Sequence, residues 1–203
     1  FHSQGNISEA AKLYQYFIDQ GFKDHMVFSN YGVILKDLGN LKEAELSTRK
    51  AIELNPDDAD VHLNLGVVLK DLGQLQEAEA PTRKAIELSS DDAMAHSNLG
   101  TILKDLGKSE EAEKSFLKAI ELNPDFADAY SNLGSILIDL GKPKEAELST
   151  RKAIEIKPDF AEAHYNLGNI LKDLGKLQDA ELSTRKAIEI KPDFAKAHLN
   201  LGN

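Results

Sequence analysis

Apolar residues recur every three or four positions along most of the chain, in short bursts that resemble one another. The burst NLGVVLKDLG at 64–73 returns as NYGVILKDLG at 30–39, NLGTILKDLG at 98–107, NLGSILIDLG at 132–141 and NLGNILKDLG at 166–175. Asn30, Asn64, Asn98, Asn132, Asn166 and Asn200 are each 34 residues apart. A fixed step of that length marks an array of like units, each burying its apolar face only by stacking on its neighbours. Starting the unit just after the Pro-Asp turn gives full copies at 25–58, 59–92, 93–126, 127–160 and 161–194, with partial copies at 1–24 and 195–203. The expectation is a single array over 1–203, cut inside a unit at both ends as a piece of a longer one would be.

Each unit predicts two helices. In the second copy, helix A runs from about Ala59 to Leu72 and helix B from about Leu75 to Leu88. Pro56 cannot continue the preceding helix, Asp57 or Asp58 can cap the next one, and Gly73 ends it. At 100° per residue, Val61, His62, Leu65, Val68, Leu69 and Leu72 share one face of helix A. No stretch alternates as a strand would, so the fold class is all-α. Gly66 lies at the margin of the apolar face, although an interior glycine costs roughly 1 kcal/mol relative to alanine. Ala78 and Ala85 are the matching small residues on helix B, and small residues let helix axes approach to about 8 Å. Gly66 is therefore read as a packing residue. Pro81 falls inside helix B, where it removes the bond to the Glu77 carbonyl. Ser89-Ser90 replaces the usual turn there, so this layer is expected to be the weakest or its helix B kinked. Pro143 stands in a first turn, where proline is tolerated.

The layout Leu65-Gly66, Ala78, Ala85 and Pro56, repeated in register, resembles the tetratricopeptide repeat. The resemblance implies an α-solenoid of stacked antiparallel helix pairs forming a right-handed superhelix, with helix A lining its concave side. Three positions depart from the family pattern. His62, His96 and His164, with Phe28 and Tyr130, take the usual Trp place; Thr48, Thr82, Thr150 and Thr184 take the aromatic place in helix B, where only Phe116 is retained. Leu35, Leu69, Leu103, Leu137 and Leu171 take the Tyr place.

Opposite the apolar face, Asp60, Asn64, Val67 and Asp71 fall within about 60° of one another. Two positions of this stripe vary between units, one as Met26, Asp60, Met94, Asp128, Glu162 and Lys196, the other as Val33, Val67, Thr101, Ser135, Asn169 and Asn203. The Asn two residues before each helix glycine does not vary. Asparagine is a poor helix former because its amide competes for backbone bonds. Two readings stand side by side. The ladder of Asn30, Asn64, Asn98, Asn132, Asn166 and Asn200 can hold the main chain of an extended peptide, since each amide offers two donors and an acceptor. Alternatively, each amide bonds the neighbouring helix A and sets the stacking register. The series is similar to that of the tetratricopeptide region of O-linked N-acetylglucosamine transferases, whose asparagines bind the main chain of protein substrates. Lys36, Lys70, Lys104 and Lys172 are further groove candidates, each followed by Asp; Ile138 breaks the series. They form either a solvated mixed-charge face or a selector of acidic side chains. The chaperone-tail clamp of a related subfamily is not expected, because Ser29, Leu63 and Ser97 stand where that clamp needs cations.

Composition narrows the chemistry. Lys+Arg 24 against Asp+Glu 34 gives a formal charge of −10, with cations and anions interspersed, so no nucleic-acid strip is read. The absence of cysteine excludes disulfides and thiolate chemistry, and agrees with a reducing, cytoplasmic setting. No apolar run reaches a membrane span. No phosphate loop, G-x-S-x-G elbow or H-E-x-x-H helix occurs. His62, His96, His164 and His198 lie one or two units apart, farther than ligands of a single metal, and read as packed core histidines. If buried and neutral, they would weaken the stack toward about pH 5. Glu45/Arg49, Glu79/Arg83, Glu147/Arg151 and Glu181/Arg185 are favourable i,i+4 pairs on the outer side of helix B. The sequence thus predicts no enzyme, cofactor or metal, and a scaffold binding an extended protein segment. The rivals are a substrate-recruiting region of a larger enzyme such as a glycosyltransferase, and a scaffold that associates end to end through faces left open near Phe1 and Asn203.

Overall fold

Acidic caps and left-handed glycines cut the chain into helices where the repeat places them. A computed structural model describes residues 7–201, and over these the chain is all-α, with no strand. Phe1 and Asn203, on which the expectation of open ends rests, lie outside the described residues. The helices form two compact units, one up to Leu106 and one from Gly107 onward. The first contains α1 (Ile7–Asp19), α2 (His25–Asp37), α3 (Leu41–Leu54), α4 (Ala59–Asp71), α5 (Leu75–Leu88) and α6 (Ala93–Asp105). The second contains α7 (Ser109–Leu122), α8 (Ala127–Asp139), α9 (Pro143–Ile156), α10 (Ala161–Asp173), α11 (Leu177–Ile190) and α12 (Ala195–Leu201).

The termini show why the helices stop and start. Asp58 accepts from Asp60 N at 3.1 Å and Val61 N at 3.3 Å, supplying acceptors that the first turn lacks. At the other end, Gly73 has φ +76°, its N–H donates to Lys70 O at 2.9 Å, and Gln74 N–H donates to Leu69 O at 2.9 Å. That is the paired closure of a Schellman motif, which needs a residue free to turn left-handed. A short connection folds α5 back along α4, and the other A–B pairs α2–α3, α8–α9 and α10–α11 pack the same way.

In the first unit, α4 also touches both α2 and α6, so helix A serves two neighbours at once. Val68 packs with Leu35 and Ala44 of the preceding repeat. Leu65 and Leu69 pack with Ala78 of their own helix B and with Ile102 of the next repeat. In the second unit Leu167, Leu171 and Ala180 repeat the theme. Val61, Leu65, Val68 and Leu69 are buried as predicted, while His62 and Leu72 are half-buried.

Gly66 is a packing residue, and its partner is more specific than the sequence indicated. A β-carbon there would overlap Thr82 Oγ1 and stand 3.3 Å from Thr82 Cβ and 3.4 Å from the Ala78 carbonyl. Gly32/Thr48, Gly134/Thr150 and Gly168/Thr184 make the same pairing. Thr48, Thr82, Thr150 and Thr184 thus each lie against the helix A glycine of their own repeat. Pro81 does not break α5, which runs unbroken from Leu75 to Leu88. It does remove a clamp. Ser47 Oγ donates to Phe28 O at 2.8 Å and Ser149 Oγ to Tyr130 O at 3.0 Å, tying helix B to helix A. Pro81 stands at that repeat position with no hydroxyl to offer.

Candidate functional site

In the second unit, the first turns of α8, α10 and α12 border a cavity of about 760 Å³. That size lies within the roughly 300–1,000 Å³ of small-ligand sites. Asn132, Asn166 and Ser131 contribute amides and a hydroxyl; Phe160, Tyr165 and Phe194 contribute rings; Asp128, Glu162, Lys157 and Lys196 contribute charge. All three rings are half-buried.

The rings are held in place by cations and by one another. Phe160 occupies the N-cap of α10 and makes no side-chain cap bond, whereas Asp24, Asp58 and Asp92 cap their helices in the first unit. Losing an acidic cap costs about 1 kcal/mol, so the ring has a different use. Lys157 Nζ lies 5.0 Å from the Phe160 centroid and Lys191 Nζ lies 5.3 Å from that of Phe194, within cation–π range. Tyr165 and Phe194 stand 5.2 Å apart at 52°. Lys191 also pairs with Glu162 at 3.4 Å.

Two of the ladder asparagines bond a neighbouring helix A, as the register reading expects. Asn166 Nδ2 donates to Ser131 Oγ at 3.1 Å, tying α10 to α8. That bond uses one amide hydrogen; the side chain also carries a second donor and an acceptor. Asn200 Nδ2 donates to Asn169 Oδ1 at 2.6 Å, a second bond between helices A. Asn132 is also engaged in an interaction. Register is thus part of the ladder's work.

The remaining candidates scatter. Asn200 and Lys172 border a separate cavity of about 300 Å³ beside Glu181 and Arg185. In the first unit, Asn30 on α2 is exposed, while Asn64 on α4 and Asn98 on α6 are half-buried. Lys36 pairs with Asp37 at 3.3 Å and Lys70 with Asp71 at 3.7 Å, the mixed-charge face of the first alternative. Lys104 is likewise engaged. None of the four lysines lines the aromatic cavity.

Two expectations need correction. The histidines are hydrogen-bonded but not deeply buried: His62, His96 and His164 are half-buried and His198 is exposed. Each ring bonds the carbonyl six residues back, with Nε2 to Pro56 O at 2.8 Å, Ser90 O at 3.1 Å, Pro158 O at 2.9 Å and Pro192 O at 2.8 Å. A carbonyl only accepts, so Nε2 carries the proton and the ring staples helix A to its entry turn. The argument for acid-induced weakening loses its premise of burial. Among the described residues, no three His, Asp or Glu side chains gather closely enough to hold a metal ion.

The helix B carboxylates also do more than decorate an outer face. Glu147 accepts from Arg151 at 2.9 Å and from Lys176 of the next repeat at 2.6 Å. The Lys176 bond, aided by Arg151, holds its carboxyl below the usual range. Glu113 and Lys142 pair at 2.7 Å, and that bond raises the Lys142 ammonium.

Sequence reasoning found Asn132 and Asn166 but missed the rings. The signal was present as a contrast between units: Phe126, Phe160 and Phe194 follow Pro-Asp where Asp24, Asp58 and Asp92 stand earlier. Tyr165 likewise replaces the Ser29, Ser97 and Ser131 of other units.

Stacked A–B helix pairs with a pocket on their A helices define a helical repeat protein. Signatures described as TPR repeat match 100–141 and 134–175. Others described as tetratricopeptide repeat match 161–194, 48–80, 82–114 and 27–58. Together these matches take in most of the chain, and it belongs to the tetratricopeptide repeat family. No curated protein matches it significantly. Among solved structures it is similar to YrrB, described as a TPR protein with an unusual peptide-binding site, at 25% identity and a TM-score of 0.71 over 95% of this chain and 100% of that one. MamA is similar at 27% identity and a TM-score of 0.70, over 81% and 96%. PilF of Pseudomonas aeruginosa shares the fold at 24% identity and a TM-score of 0.78, over 87% and 80%. Among the described residues, no helix is long and apolar enough to cross a membrane.

Proposed function

We propose that this chain is a protein-interaction scaffold that holds an extended peptide on its A helices, with the second-unit cavity as the principal site. The observation that carries the reading is the meeting of two ladder amides with three rings in one cavity. An extended strand needs both donors and acceptors along its edge, and amides supply both without reading side chains. The description of YrrB as a peptide-binding TPR protein supports this assignment. The reading gives the chain no catalytic role, cofactor or nucleic-acid partner.

The likeness to glycosyltransferase substrate-recruiting regions stays with the asparagine series alone; the solved structures named above are YrrB, MamA and PilF. The test is a peptide-array screen repeated with Asn132→Ala and Asn166→Ala. Binding lost in these variants supports the site, and binding unchanged in both makes the amides purely architectural. Self-association is tested separately by sedimentation at rising concentration, where a constant monomer mass would remove it.

A further inference from the structure

Resting on the peptide reading above, we infer that the second-unit cavity selects an extended segment carrying an aromatic side chain, and that Tyr165 with Phe160 and Phe194 makes the selection. Four features of the cavity lead there. The amides of Asn132 and Asn166 recognise main chain and do not discriminate among side chains. The formal charges lining the cavity cancel, Asp128 and Glu162 against Lys157 and Lys196, so charge alone favours neither an acidic nor a basic residue. Phe160 and Phe194 each already carry one ammonium group, from Lys157 and Lys191, so a lysine or arginine of the ligand would meet like charge there. What remains to discriminate is the apolar ring surface, and Tyr165 tilted against Phe194 presents ring edges and faces of the kind that accept a third ring.

The selecting residues differ from those of the first unit. Tyr165 stands where Ser29, Leu63 and Ser97 stand there, and Phe160 stands where Asp58 caps its helix. Both replacements put apolar area beside the amides at the expense of a local polar function.

The test selects peptides from a displayed random library on the wild-type chain, on Tyr165→Ser, on Phe160→Asp, and on Asn132→Ala/Asn166→Ala. Tyr165→Ser installs the residue that other units carry, and Phe160→Asp installs the cap of the first unit, so neither removes a helix-forming feature. Circular dichroism confirms that each variant is folded. Wild type is expected to enrich Phe, Tyr or Trp at one position, and Tyr165→Ser and Phe160→Asp to lose that enrichment and bind the selected peptide about tenfold more weakly. The asparagine pair is expected to weaken all peptides alike. If both ring variants enrich the same aromatic residue with unchanged affinity, the selection is not made by these rings. Peptides that depend on the amides but show no aromatic position overturn this inference and leave the peptide reading standing. A wild type that selects nothing removes both.

Discussion

Gly66→Ala separates a packing glycine from a permissive one. Alanine in a helix interior gains roughly 1 kcal/mol over glycine, so propensity alone predicts stabilisation. The new methyl, however, would overlap Thr82 Oγ1, which is fixed by its own bond to Ala78 O at 2.8 Å, and would stand 3.4 Å from that carbonyl. Overpacking of this kind costs about 1–3 kcal/mol. The net expectation is a loss of up to about 2 kcal/mol, read in urea denaturation followed by circular dichroism. The decisive arm is the double variant. Thr82→Ala alone loses about 1 kcal/mol with its hydroxyl bond, yet it removes the obstacle, so Gly66→Ala/Thr82→Ala should be more stable than the sum of the singles by about 1 kcal/mol or more. Gly73→Ala is the control: it stands at φ +76° with nothing within 4 Å of its would-be β-carbon. Its loss is conformational, about 1–2 kcal/mol, and Thr82→Ala cannot relieve it. A Gly66→Ala chain more stable than wild type, or strict additivity with Thr82→Ala, would refute the packing argument.

Pro81→Ser should stabilise the chain by about 1–3 kcal/mol, because it restores the helical N–H and offers a hydroxyl where Ser47 and Ser149 clamp their helices. Hydrogen exchange that already shows 75–88 as protected as 177–190 in the wild type would count against it. Thr150 Oγ1 is buried without a partner, whereas Thr82 Oγ1 bonds Ala78 O. Thr150→Ala is therefore expected to cost about 1 kcal/mol less than Thr82→Ala, and equal losses in thermal melts would contradict this. Glu147 has its folded pKa lowered by Lys176 and Arg151, so its contribution is present above the ordinary carboxylate range and is lost as pH falls through the folded value. Glu147→Gln should lower stability by about 0.5–1 kcal/mol at neutral pH. The gap should close in acid, and one that persists there would show the loss not to be electrostatic.

Much of the fold was legible because repetition averages out local ambiguity. One unit's helix limits, taken from Pro56, Asp58 and Gly73, hold for α4 and α5 to within a residue. The glycine's role was legible too, but its partner was not, since only the packed structure brings Thr82 beneath Gly66. The histidines misled because a helical wheel assigns a direction and not a depth: His62 points toward the core side yet ends at the Pro56 carbonyl near the surface. The candidate site was half visible. Invariant residues such as Asn132 and Asn166 stand out in a repeat, while Phe160 and Tyr165 differ from Asp58 and Leu63 at the same positions, a signal that alignment to a common unit suppresses.

The most direct measurement is a nitrogen-resolved NMR titration of the chain with a peptide selected from the displayed library, following the side-chain amides of Asn132 and Asn166. Both pairs of resonances are expected to move and to saturate together with the peptide, with the backbone signals of Tyr165 following. A peptide that binds while these amides stay still, and shifts residues of α9 and α11 instead, would contradict the account.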